Sequence, residues 1–78
     1  MPLEGKKYVI TGTVKQFKNR DQLKAYIEER GGKVVSAISK NVDYLINNNA
    51  ASTSAKNVAA KRMGIPILSE AEFLEELN

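Results

Sequence analysis

Four short apolar runs alternate with segments of helical pattern, which limits the chain to a mostly parallel sheet with helices on both faces. The runs are YVIT (8–11), KVVS (33–36), DYLI (43–46) and IPIL (65–68). YVIT is rich in β-formers and lacks polar alternation, as expected of a strand covered on both sides. Pro66 suits the first residue of a strand or an edge position, where no ladder donor is needed. The predicted order is β-α-β-β-α-β-α. It forms one domain over 1–78, with no repeat, low-complexity tract or dividing linker.

The helices are marked by their ends. Asn19 with Gln22 three positions on is a capping-box pattern, and Leu23, Tyr26 and Ile27 fall on one face. Gly31-Gly32 stops that helix. The loop NNNAAST (47–53) leads into a second helix over about 54–63, closed by Gly64. Ala55, Val58, Ala59 and Met63 give it a thin apolar stripe, mostly of small side chains, that predicts close approach to the sheet. Ser69 with Glu72 is a second capping box, opening a last helix with Phe73, Leu74 and Leu77 on its inner face.

Composition removes several function classes. The 78 residues contain no cysteine and no histidine, so there is no disulfide, no thiolate metal site and no imidazole base. No carboxylate pair suggests a catalytic site either, so neither an independent enzyme nor a metal is expected. No apolar run approaches the roughly 20 residues of a membrane span, and no signal-peptide pattern stands at the N-terminus. A soluble, intracellular domain without membrane contact is expected, and Met1-Pro2 followed by a folded-looking segment suits an excised domain as well as a complete protein.

The net charge of +3 is unevenly placed. Residues 1–20 carry five Lys/Arg against Glu4 alone, and Lys56, Lys61 and Arg62 follow in the second helix, whereas Glu70, Glu72, Glu75 and Glu76 crowd the end of the chain. Such polarisation can present a basic face to a polyanion, although solvated surface charge gives the same pattern.

Gly12, at the end of YVIT, invites comparison with nucleotide-binding loops, and the comparison fails. G-x-x-x-x-G-K-[ST] lacks its second glycine and lysine, and G-x-G-x-x-G lacks its glycines, because none lies between Gly12 and Gly31. Arg20 falls at the first position of the first helix and Lys56 near the second position of the second. Cations there oppose the helix macrodipole. In an open parallel sheet those helices start at the carboxyl edge, so Thr11, Gly12, Arg20 and Lys56 gather at one end. An anion among them would make the arrangement favourable, and phosphate is the natural candidate. Tyr26 and Phe73 sit on apolar helix faces and read as core, which leaves no aromatic platform for single strands.

Taken in order, these pieces resemble a BRCT domain over nearly the whole chain. They are Leu3-Glu4-Gly5 with Val9-Ile10-Thr11-Gly12, then Arg20, Ile27-Glu28 and Gly31-Gly32-Lys33-Val34. Ser39-Lys40 with Asp43-Tyr44-Leu45-Ile46 follows, and then Lys56, Gly64-Ile65-Pro66-Ile67 and Ser69-Glu70-Ala71-Glu72-Phe73. Within the family the chain looks closest to the single domain of bacterial NAD-dependent DNA ligases, and next to that of the eukaryotic clamp loader's large subunit. Phe73 stands where many phosphopeptide-binding members have tryptophan, and Ser52-Thr53-Ser54-Ala55 replaces a frequent Gly-Ser before the lysine.

The resemblance implies an α/β fold, a four-stranded parallel sheet in order 2-1-3-4 with two helices on one face and one on the other. It also implies a phosphate pocket of Thr11, Gly12 and Lys56, joined by Arg20, with Thr13, Lys15, Lys18 and Ser54 as further DNA contacts. The function it implies is non-catalytic: a module of a DNA ligase or replication and repair protein that holds duplex DNA, including a 5′-phosphate end or nick. The alternative is a protein-interaction module for a phosphopeptide or partner domain. The domain itself would carry no cofactor, the NAD of a ligase parent being bound elsewhere. It would act as a monomer in the bacterial cytoplasm, on nucleoid DNA.

Overall fold

Each strand in the centre of the sheet has to satisfy two hydrophobic faces at once, and β1 (Lys7–Ile10) does so by simple alternation. Tyr8 and Ile10 point to one side and Val9 to the other, all three buried. In the computed structural model, which describes residues 2–49 and 51–77, β1 lies between β2 (Lys33–Val34) and β3 (Tyr44–Ile46). The fourth strand, β4 (Ile67–Leu68), forms the far edge. The order is 2-1-3-4 and every pairing is parallel, with Tyr8 opposite both Val34 and Tyr44 and Leu45 opposite Ile67.

Two helices, α1 (Arg20–Glu29) and α3 (Glu70–Glu76), cover one face, and α2 (Ala55–Met63) covers the other. Leu23 and Ile27 of α1 and Phe73 of α3 pack with Leu3, Tyr8, Ile10 and Ile46. On the opposite face Ala60 packs with Val9, Leu45, Val42 and Ile65. The connection from β2 to β3 holds no helix. Its Val42 and half-buried Ile38 share the α2 face instead.

The N-caps of α1 and α2 are single bonds, without the reciprocal half of the box expected at Asn19–Gln22, and only α3 has both halves. Asn19 Oδ1 accepts from Gln22 N at 2.9 Å. Ser54 Oγ accepts from Asn57 N at 3.3 Å, and the Ser69–Glu72 box is reciprocal. Gly64 closes α2 in the left-handed region at φ 73°, which costs glycine nothing.

Two expectations need correction. The strands are shorter than the apolar runs: β2 stops at Val34 rather than residue 36, and β4 begins only after Pro66, whose carbonyl accepts from Leu45 N at 3.0 Å. The predicted inner stripe of α2 is also misplaced. Its buried residues are Asn57 and Ala60, while Val58 and Met63 are 41% and 51% exposed. A buried asparagine turns the helix this way because every polar atom of its side chain finds a partner, so burial costs little.

Candidate nucleic-acid interface

The carboxyl edge of the sheet is built around the end of β1. Thr11 N donates to Ile46 O at 3.0 Å, carrying the pairing with β3 one residue past the strand. The chain then turns at Gly12 with φ 78°. A Cβ at that position would come within 3.0 Å of Asn47 Oδ1. Glycine is therefore required twice here, by backbone conformation and by the closeness of the neighbouring loop.

That neighbouring loop is held by asparagines. Asn47 Oδ1 accepts from Asn49 N at 2.9 Å, and Asn47 Nδ2 donates to Asn57 Oδ1 at 2.9 Å. Asn57 Nδ2 in turn donates to Ser52 O at 2.8 Å. Asn47 N still pairs with Leu68 O of β4 at 2.8 Å, and beyond it side-chain amides stand in for sheet pairing and fix the path of the loop. Between it and the turn after β1 lies a cavity of about 290 Å³ lined by Thr11, Gly12, Thr13, Lys15, Asn47, Asn48, Asn49, Ser52 and Ser54.

A third element ties both loops together. Glu70 of α3 is 1% exposed. Its carboxylate accepts from Lys15 N at 2.6 Å, from Gln16 N at 3.0 Å and from Asn48 Nδ2. Asn48 Nδ2 also donates to Thr13 O at 3.0 Å, and Glu70 N donates to Asn48 Oδ1 at 2.9 Å. Burial pushes the Glu70 carboxyl upward, but Asn48 and the amides of Lys15, Gln16 and Phe17 outweigh it and hold the group below its ordinary value.

The residues singled out in the sequence do reach this edge, but in two hollows rather than one. Thr11, Gly12, Thr13, Lys15 and Ser54 line the cavity just described. Arg20 and Lys56 line a second hollow of about 250 Å³, together with Asp21, Lys24 and Ser36. Neither Arg20 nor Lys56 takes part in an ion pair among the described residues. Lys18 is exposed on the loop before α1 and lines neither hollow. Chemically, the first hollow offers hydroxyls and amides around one lysine, and the second offers three cations against one carboxylate. Both suit an anion. Among the described residues, no group of three or more histidine, cysteine or acidic side chains is placed to hold a metal, and no helix is long and apolar enough to cross a membrane.

Sequence reasoning missed Asn47, Asn48, Asn57 and Glu70. The run of three asparagines was a visible signal of a structured loop, but Glu70 looked like an ordinary first-turn acid.

The family model for the BRCA1 C-terminal (BRCT) domain matches residues 1–77. A DNA ligase of Ruminiclostridium cellulolyticum is 56% identical over 75 residues, which is 96% of this chain and 11% of the ligase. A DNA ligase of Lachnoclostridium phytofermentans is 46% identical over 76 residues, 97% of this chain and 12% of the ligase. A third, from Rhodopirellula baltica, is 42% identical over 73 residues, 94% of this chain and 10% of that ligase. The chain spans about a tenth of the length of these relatives, and it belongs to the BRCT family.

Proposed function

We propose that this domain is a non-catalytic module that holds duplex DNA through its phosphates, within a longer chain of the NAD-dependent DNA ligase type. The observation that carries the reading is the pairing of two anion-suited hollows at one sheet edge, one polar and one cationic, with Arg20 and Lys56 free of ion pairs among the described residues. Phosphate contacts of this kind set position and affinity and carry no base sequence. The aromatic side chains point the same way. Tyr8 and Phe73 are buried, and the Tyr26 ring is covered by the Arg30 guanidinium 3.5 Å from its centroid, so these rings are not open for stacking on bases.

The polar hollow beside Gly12 has the donors for a terminal phosphate, which makes a 5′-phosphorylated end or nick the preferred ligand. Catalysis and the NAD site would lie elsewhere in the parent chain, which would act on nucleoid DNA in the bacterial cytoplasm. Titrating duplex DNA, with and without a 5′-phosphate, over a series of salt concentrations tests the reading. Affinity that falls steeply with salt and rises with the terminal phosphate supports it; no binding at low salt, or binding indifferent to salt, sinks it.

A further inference from the structure

We propose that Glu70 is the positioning residue for the phosphate-binding loop: from the last helix it clamps the backbone of Lys15 and Gln16 and, through Asn48, fixes that loop against the loop that follows β3. The inference rests on the DNA-binding reading above and adds a residue outside both hollows.

The geometry is specific. Beyond Thr11, residues 12–19 contain no helix or strand, so their backbone amides lack ladder partners. One carboxylate supplies partners to consecutive amides, Oε2 to Lys15 N at 2.6 Å and Oε1 to Gln16 N at 3.0 Å. Asn48 closes the circuit. Its Nδ2 donates both to Glu70 and to Thr13 O, and its Oδ1 accepts from Glu70 N. Glu70, Asn48 and the loop come from three different parts of the chain, and the bonds fall on either side of Val14, at Thr13 and Lys15, both of which line the polar hollow.

Burying a carboxylate without a cation carries a heavy desolvation cost unless its oxygens are filled by good donors. An apolar residue at position 70 would avoid that cost, and it would leave the loop amides without partners. The buried charge therefore has its use in the loop rather than in α3, which already has the Ser69–Glu72 box to start it.

The test compares the unaltered 78-residue chain with Glu70→Gln, which keeps the shape but replaces one acceptor oxygen with a donor. Val42→Ala, which loosens the opposite face of the sheet, serves as a stability control. Amide hydrogen exchange and titration with 5′-phosphorylated duplex DNA are read at a temperature where all variants are folded. Glu70→Gln should speed exchange at Lys15, Gln16 and Phe17 by about tenfold or more beyond any change elsewhere. It should also weaken duplex binding on the order of tenfold, while Val42→Ala leaves both readouts unchanged. If Glu70→Gln does not fold, Asn48→Ala replaces it. It removes the link to Thr13 while leaving the carboxylate on Lys15 and Gln16, and it should shift both readouts in the same direction. A folded variant with unaltered exchange at residues 15–17 overturns the clamp, and one with faster exchange but full affinity overturns its role in binding. Failure of the unaltered chain to bind any duplex overturns the DNA reading itself, and the exchange rates then still decide whether Glu70 holds the loop.

Discussion

Asn47 and Asn57 meet in a buried hydrogen bond, Asn47 Nδ2 donating to Asn57 Oδ1 at 2.9 Å, which joins the loop after β3 to the inner face of α2. This bond sets which side of α2 faces the sheet, and it holds Asn47, which lines the polar hollow. Asn57→Ala strands the Asn47 amide and the Ser52 carbonyl and should cost about 1–3 kcal/mol. Val58→Ser and Met63→Gln, on the exposed side, should stay within about 0.5 kcal/mol of the parent. Urea unfolding of the three variants checks the ranking, and the opposite order would mean α2 is turned the other way.

Gly12 and Gly64 both adopt positive φ, at 78° and 73°, but only Gly12 is crowded. Alanine at either site meets the left-handed penalty of about 1–2 kcal/mol. At position 12 the new Cβ also presses on Asn47 Oδ1 at 3.0 Å, whereas nothing lies within 4 Å at position 64. Thermal unfolding should therefore show Gly12→Ala losing more stability than Gly64→Ala.

Acid should undo the loop clamp. The folded state holds the Glu70 carboxyl below the ordinary value of 4.5, so the unfolded chain binds that proton first as pH falls. The stability Glu70 contributes is complete above the ordinary glutamate range and is lost as pH drops through the lowered folded value. Glu70→Gln should be less stable than the parent at neutral pH and show a flatter decline on acidification, measured by urea unfolding at successive pH values.

Alkali acts on a different buried group. Burial, then the neighbouring Tyr44, Asp43 and Glu76, push the Tyr8 hydroxyl up to about 12 from an ordinary 10.0. A raised folded value means stability that is intact below the ordinary value and is lost as pH climbs from there through about 12. Tyr8→Phe should remove that part of the alkaline decline, and a titration followed by circular dichroism would show it.

The architecture was legible because it rests on strong local signals. YVIT had to be covered twice, Ser54 and Ser69 start helices by well-defined bonds, and Gly64 stops one. Fold order and helix placement followed from these and from the family resemblance. The face of α2 was not legible, because counting apolar residues favours Val58 and Met63 over Asn57, and the partners that make Asn57 buriable come from the loop after β3. Glu70 was hidden for a different reason. An acid in the first turn satisfies the helix macrodipole, so its local fit gave no hint of long-range bonds to Lys15 and Gln16. The division of Thr11 and Gly12 from Arg20 and Lys56 into neighbouring hollows depends on side-chain positions that spacing alone does not fix.

The most direct measurement is duplex affinity against salt for the parent, Arg20→Glu and Lys56→Glu, with circular dichroism confirming that each is folded. Both variants should bind more weakly, with a log–log salt slope shallower by roughly one for each phosphate that is no longer neutralised. Parent-like affinity and slope in both folded variants would contradict this, since the proposed cations would then take no part in holding DNA.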